Sequence, residues 1–170
     1  MNESMNAAEV GKTPDVVRGL KAIPFLWFAG NVRQAMEFYT SILPDSQIVS
    51  HQPGADGAWQ SGTFTITGQT YMAFDGGPMF SFSPAMSLFV QCQTQEQVDL
   101  LWDRLAHGGT HGRCGWLTDQ FGFSWQVVPE ALGRLLGQGD QDAAGRVQEA
   151  MMQMTKLDIS VLEAASTGRP

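Results

Sequence analysis

Ile23-Pro24-Phe25-Leu26-Trp27-Phe28-Ala29-Gly30-Asn31-Val32-Arg33-Gln34-Ala35-Met36-Glu37-Phe38-Tyr39 reads as an apolar strand, a polar break and an amphipathic helix. The chain writes this pattern twice. Set against the stretch from Met86 to Trp102, Leu26 matches Phe89, Trp27 matches Val90 and Asn31 matches Thr94. Ala35 then matches Val98, Phe38 matches Leu101, Tyr39 matches Trp102, and further on Ile42 matches Leu105. Few identities survive, yet the order of strand, cap and helix is the same, which is the signature of a duplicated unit. A second echo sets Gly68-Gln69-Thr70-Tyr71-Met72-Ala73-Phe74 against Gly122-Phe123-Ser124-Trp125-Gln126-Val127-Val128. Its spacing is shorter than the first, so the second copy has lost part of a middle hairpin. A duplicated unit closing on itself makes a cleft between its halves, where function is to be sought.

Working outward, the pattern divides the chain. Residues 1–19 are polar and interrupted by Gly11 and Pro14, which suits a mobile leader. Residues 20–77 form the first half. The unbroken apolar run before Ala29-Gly30 suits a strand covered on both faces. Asn31 with Gln34 suits a capping box, and Pro44 closes the helix that follows. Strands over 46–51, 58–67 and 69–75 are expected, with turns at 54–57 and Gly68. Residues 78–85 form a crossing loop after Gly76-Gly77. The second half, 86–129, repeats the plan, with Thr94 and Gln97 as its capping box and Gly108-Gly109 ending its helix. Strands over 113–117 and 123–128 should pair across a turn. Residues 130–170 form a C-terminal extension of about three helices, the middle one amphipathic through Ala143, Val147, Ala150, Met151 and Met154. The fold class is α+β: two βαβββ repeats, the second shortened, forming a curved mixed sheet around a cleft, plus C-terminal helices.

The bulk composition narrows the partners. The chain has 170 residues, 43% apolar and only 16% charged, which is ordinary for a globular domain. A net charge of −7 argues against nucleic acid, whose phosphates demand clustered Lys and Arg. No basic amphipathic stretch or long apolar run points to a membrane. The first twenty residues carry no apolar core of a signal peptide, so a cytoplasmic location is expected, with Cys92 and Cys114 as reduced thiols.

Several motifs carry a closer likeness: Ile23-Pro24-Phe25-Leu26-Trp27-Phe28, Met36-Glu37-Phe38-Tyr39, Gly76-Gly77-Pro78, Gly112-Arg113-Cys114-Gly115-Trp116-Leu117 and Asp119-Gln120-Phe121-Gly122-Phe123-Ser124-Trp125-Gln126. With the doubled βαβββ plan, they resemble the vicinal-oxygen-chelate superfamily of glyoxalase I, extradiol dioxygenases and bleomycin-resistance proteins. Within it they look like the PhnB-like branch, often labelled 3-demethylubiquinone-9 3-methyltransferase. The resemblance runs from about Lys21 to Ala164 and implies a homodimer, to which open sheet edges would also lend themselves. The methyltransferase label sits badly with the residues. A doubly wound cofactor fold needs a Gly-rich turn between strand and helix. Gly76-Gly77-Pro78 follows a strand but precedes another strand.

Metal-using members of that superfamily place His, Glu or Gln on the first and last strands of each half. Here those strands offer Phe25 to Phe28, Tyr71 to Phe74, Ser87 to Val90 and Trp125 to Val128. Only Gln126 resembles a ligand, and one neutral amide does not hold a divalent ion against water. No cleft metal and no cofactor are expected. His107, His111 and Cys114 are a zinc-compatible set by type, although nothing in the sequence fixes the loop between them.

Three residues are candidates for chemistry without a metal. Asp75 ends a cleft strand and could serve as a base, or simply as a turn residue. Cys114 follows Arg113, whose charge would favour a thiolate if it reached the sulfur; a buried structural cysteine is the alternative. Gln126 supplies an amide. Phe25, Trp27, Phe74, Ser87, Phe89, Trp116 and Trp125 are expected to line the cleft and favour a flat or hydrophobic ligand. Three readings follow: a metal-free binding protein for a small hydrophobic or aromatic molecule; an enzyme on a small aromatic or quinone-like substrate; or a homodimeric module whose Met-rich C-terminal helices engage a partner.

Overall fold

The computed structural model describes residues 15–137 and 140–168. Most of the leader expected over 1–19 lies outside the described residues. The first half is β1 (Phe25–Phe28), α1 (Val32–Ile42), β2 (Gln47–Pro53), β3 (Trp59–Ile66) and β4 (Gln69–Asp75). The second is β5 (Ser87–Cys92), α2 (Gln95–Leu105), β6 (Thr110–His111), β7 (Trp116–Thr118) and β8 (Ser124–Pro129). Helices α3 (Glu130–Leu136), α4 (Gln141–Gln153) and α5 (Ile159–Thr167) complete the chain. Each half forms its own four-stranded sheet, ordered β1-β4-β3-β2 and β5-β8-β7-β6. In each, the first strand runs parallel to the last and the remaining pairs are antiparallel.

The duplication is thus real in three dimensions, and α1 and α2 each span 11 residues. The lost hairpin shows as well: β6 and β7 have 2 and 3 residues where β2 and β3 have 7 and 8. His111, assigned from sequence to a shapeless loop, lies in β6.

Strand register corrects the sequence alignment by one residue. Phe25 pairs with Met72, and Phe89 pairs with Gln126, the echo of Met72. The counterpart of Phe89 is therefore Phe25, not Leu26. The slip arises in the turn, where Ala29 and Gly30 separate β1 from Asn31 but Gln93 alone separates β5 from Thr94. Gly30 absorbs the extra residue at φ +96°, where a side chain would be strained. Because side chains alternate along a strand, this one residue decides which face each strand presents.

The caps differ too. Thr94 accepts from Gln97 N at 3.2 Å while Gln97 Oε1 accepts from Gln93 N at 2.7 Å, so the second box forms. The first does not. Asn31 sits at φ −139°, ψ 24°, outside the extended conformation that turns an N-cap side chain back onto its helix. Asp75 Oδ1 instead accepts from Gly30 N at 2.6 Å.

One core joins the halves, and it lies on the helix-bearing side of both sheets. Leu26, Phe28, Met36, Tyr39 and Phe64 of the first half pack in the same cluster as Val98, Leu105, Leu117, Trp125 and Val127 of the second. The centre of the seam is polar. Asp119 Oδ2 accepts from Tyr39 OH and from Trp125 Nε1, both at 2.8 Å, and its Oδ1 accepts from Phe121 N and Phe123 N. Burial lifts the Asp119 carboxyl above its ordinary value, while these four donors pull the other way. A second, smaller core ties α3, α4 and α5 to Val128 through Leu132, Leu135, Val147, Leu157 and Leu162.

Candidate functional site

Both sheets carry α1 or α2 on one side, so each has an opposite face turned away from the shared core. On the first sheet that face is aromatic. Leu26 and Phe28 point into the core, leaving Phe25 56% exposed and Trp27 half-buried. The expected cover on both sides of β1 is thus present on one side only. Phe74, across from Trp27 on β4, brings its ring centroid within 5.2 Å of Trp27 and 6.3 Å of Phe25. Met72, 39% exposed, continues the patch, and Phe80 from the crossing loop stands edge-on to Trp27 at 5.1 Å.

The Gly76-Gly77 pair explains how Trp27 is held. Its indole N–H donates to Gly77 O at 2.9 Å, and a Cβ on Gly76 would overlap the indole ring. Glycine is needed here for close packing against a side chain.

The corresponding face of the second sheet mixes polar and aromatic groups. Gln126 lies opposite Phe89 on β5 and Trp116 on β7, and its amide donates to Ser87 Oγ at 2.9 Å. Phe89 is 54% exposed, close to the value for its counterpart Phe25. One end of this face is closed. Val128, the echo of Phe74, is covered by α3–α5, and Cys114 N and Gly115 N donate to Met154 O and Thr155 O at 2.8 and 2.9 Å. The structure thus brings Phe25, Trp27 and Phe74 together on one face, and Ser87, Phe89, Trp116 and Gln126 on the other.

Three residues expected at the cleft stand elsewhere. Trp125 is fully buried on the helix side, bonded to Asp119, because Gln126 takes the open side and its neighbours must take the other. Asp75 also turns to the helix side, toward Gly30 at the start of α1. Cys114 sits at φ +56° under the C-terminal helices, its sulfur 3.8 Å from Met152 Sδ. The zinc-compatible trio does not gather: His111 packs beside Trp102 at 5.3 Å, and no group of three or more His, Cys, Asp or Glu among the described residues is arranged to hold a metal. Cys92 is a core residue whose thiol burial pushes up to about 11.

The sequence reading missed Met72 and Phe80 on the aromatic face. Met72 lies two residues before Phe74, and strand alternation was the signal that would have found it. It also missed a groove around Asp75. Two adjoining cavities of about 390 and 230 Å³ both touch Asp75, Ala58 and Trp59, between the 54–58 turn and the start of α1. At the other end of α1, cavities of about 310 and 240 Å³ lie in the seam between the halves, lined by Leu43, Thr67, Val90 and Gln91.

A paired βαβββ fold with helix-free faces defines a glyoxalase-type domain, and comparison with known proteins agrees. Residues 20–128 match the sequence model of the 3-demethylubiquinone-9 3-methyltransferase family, and the chain belongs to that family. A PhnB protein of Bacillus cereus, itself a putative 3-demethylubiquinone-9 3-methyltransferase, is 36% identical with a TM-score of 0.61. The match spans 65% of this chain and 99% of that one. A Pseudomonas aeruginosa protein is similar in fold at 23% identity and TM-score 0.54, over 65% and 98% of the two chains. Structural neighbours also include the fosfomycin resistance protein FosX of Listeria monocytogenes, at 13% identity and TM-score 0.48 over 65% and 91%. No curated protein matches in sequence. Among the described residues, no helix is long and apolar enough to cross a membrane.

Proposed function

We propose that this protein binds a small, flat, largely apolar molecule, and that the site is composite: the aromatic face of one copy closing over the Ser87/Phe89/Gln126 face of a second copy. The observation that carries this reading is the exposed aromatic patch of Phe25, Trp27 and Phe74, held in place by Gly76 and Gly77. An apolar patch of this kind, kept open to solvent by a fold that spends glycines on its geometry, marks a binding surface. The two faces lie on the outer sides of a shared core, so one chain does not fold them onto each other. A homodimer in the cytoplasm supplies the missing wall. The Gln126 amide, steadied by Ser87, then offers the polar contact that orients a ligand carrying one hydroxyl or carbonyl.

Binding is preferred to catalysis because the candidate base Asp75 and the candidate nucleophile Cys114 both stand off these faces. Methyl transfer, which the family description names, finds little support in the chain's own residues. Gly76 and Gly77 serve to pack Trp27, and β5 follows them where a cofactor turn would be followed by a helix.

Equilibrium dialysis with 1-naphthol as probe tests the reading. Saturable binding by the intact protein, weakened about tenfold (~1.4 kcal/mol) by Trp27→Ser and by Gln126→Leu, is expected. Binding that is absent, or untouched by both variants, would overturn it.

A further inference from the structure

We propose that the groove around Asp75 is a second site, separate from the aromatic face, and that it takes a small organic ammonium compound. Its two cavities, about 390 and 230 Å³, meet at Asp75 and Trp59. One wall is the turn Gly54–Ala58, whose small side chains leave room for a ligand. The other is the start of α1, with Gly30, Val32 and Arg33.

The charges in the groove select a cation. Asp75 spends Oδ1 on Gly30 N; its Oδ2 meets no donor and no cation among the described residues. Asp56 adds a second carboxylate, whose Oδ1 accepts from Ala58 N. Among the described residues, Arg33 is the one cation lining the groove, and Glu37 pairs with it at 2.8 Å. An anion would therefore meet two carboxylates and an arginine already paired with Glu37. An ammonium group brings three donors and a positive charge.

The rest of the groove suits an apolar body. Trp59 is stacked on His51 at 3.9 Å, which fixes its plane, and it reaches into both cavities. The Arg33 guanidinium stands over the ring at 5.3 Å, an internal cation drawn to the face that a ligand would share. A ligand with its ammonium at Asp75 and a ring or short alkyl chain against Trp59 and Ala58 satisfies these surfaces together. The groove lies on the helix side of β4, whereas the aromatic patch lies on the other side.

The test is a charge series on the full chain: benzylamine, benzyl alcohol and benzoate, titrated against ¹⁵N-labelled protein while the indole N–H of Trp59 is followed. Benzylamine should shift Trp59 and Gly30, with the alcohol at least about tenfold weaker, a gap of ~1.4 kcal/mol, and benzoate silent. Asp75→Asn keeps an acceptor for Gly30 N and so preserves the fold; it should abolish the preference for the amine over the alcohol. Arg33→Gln, which removes the competing cation, should tighten benzylamine a few-fold. Equal binding of amine and alcohol would overturn the proposal, as would an amine response unchanged in Asp75→Asn. Shifts confined to Trp27 and Phe25 would likewise defeat it, without touching the 1-naphthol reading.

Discussion

Asp119 receives four hydrogen bonds from groups as far apart in the chain as Tyr39 and Trp125, and it sits where the two halves meet. Asp119→Ala leaves those donors unpaired in a buried place, and should cost about 3–5 kcal/mol in the urea-unfolding free energy. Tyr39→Phe removes one bond to a charged acceptor and should cost about 1.5–3 kcal/mol. A loss below ~1 kcal/mol for Asp119→Ala would mean that the seam is held by apolar packing alone. The motif Asp119 to Gln126 was legible as a family mark. Its link to Tyr39 was not, because no local pattern records a contact between residues so distant in sequence. Trp125 shows the opposite case: Gln126 beside it was a sufficient sign that Trp125 faced inward. At Gly76, an added methyl should push Trp27 off its Gly77 bond. Gly76→Ala should then weaken 1-naphthol binding about tenfold (~1.4 kcal/mol) at unchanged far-ultraviolet circular dichroism. Full binding in that variant would remove Trp27 from the site.

At the scale of elements, the strands and helices were legible because their periodicities are strong, and the C-terminal helices fell within a few residues of expectation. The one-residue slip between β1 and β5 was not legible, since β1 is apolar on both faces and only pairing fixes its register. The C-terminal unit lies beyond the matched residues 20–128, and its ties to the second half include carboxylates. Asp99 is held below its ordinary pKa, first by its bond to Lys156, at 2.7 Å. Asp158, the N-cap of α5, is lowered first by Ser160 and then by Val161 N. A lowered folded-state pKa means stability that is present above about pH 4 and lost as pH falls through the folded value. Hydrogen exchange should therefore show residues 154–162 opening below about pH 4, ahead of β3 and β4. Asp158→Asn should flatten that response for α5. Simultaneous opening of α5 and the sheets would show that acid acts on the whole domain instead.

For the whole molecule, the duplicated plan was readable but its closure was not. The repeat suggested one cleft between halves, whereas side-chain contacts join the halves through their helix faces and leave Phe25 and Phe89 on outer faces. Hydrophobic patterning cannot say which of two apolar faces meets its twin. The central claim, that one ligand is held by the first sheet of one copy and the second sheet of another, has a direct test by mixing. Trp27→Ser and Gln126→Leu are each purified, shown to bind 1-naphthol poorly, then combined, allowed to exchange subunits and assayed again. Each mixed dimer holds one site with both faces intact. With random exchange the mixture should regain about a quarter of wild-type capacity at wild-type affinity. A mixture that regains nothing after demonstrated subunit exchange would place both faces in a single copy's site and contradict the account.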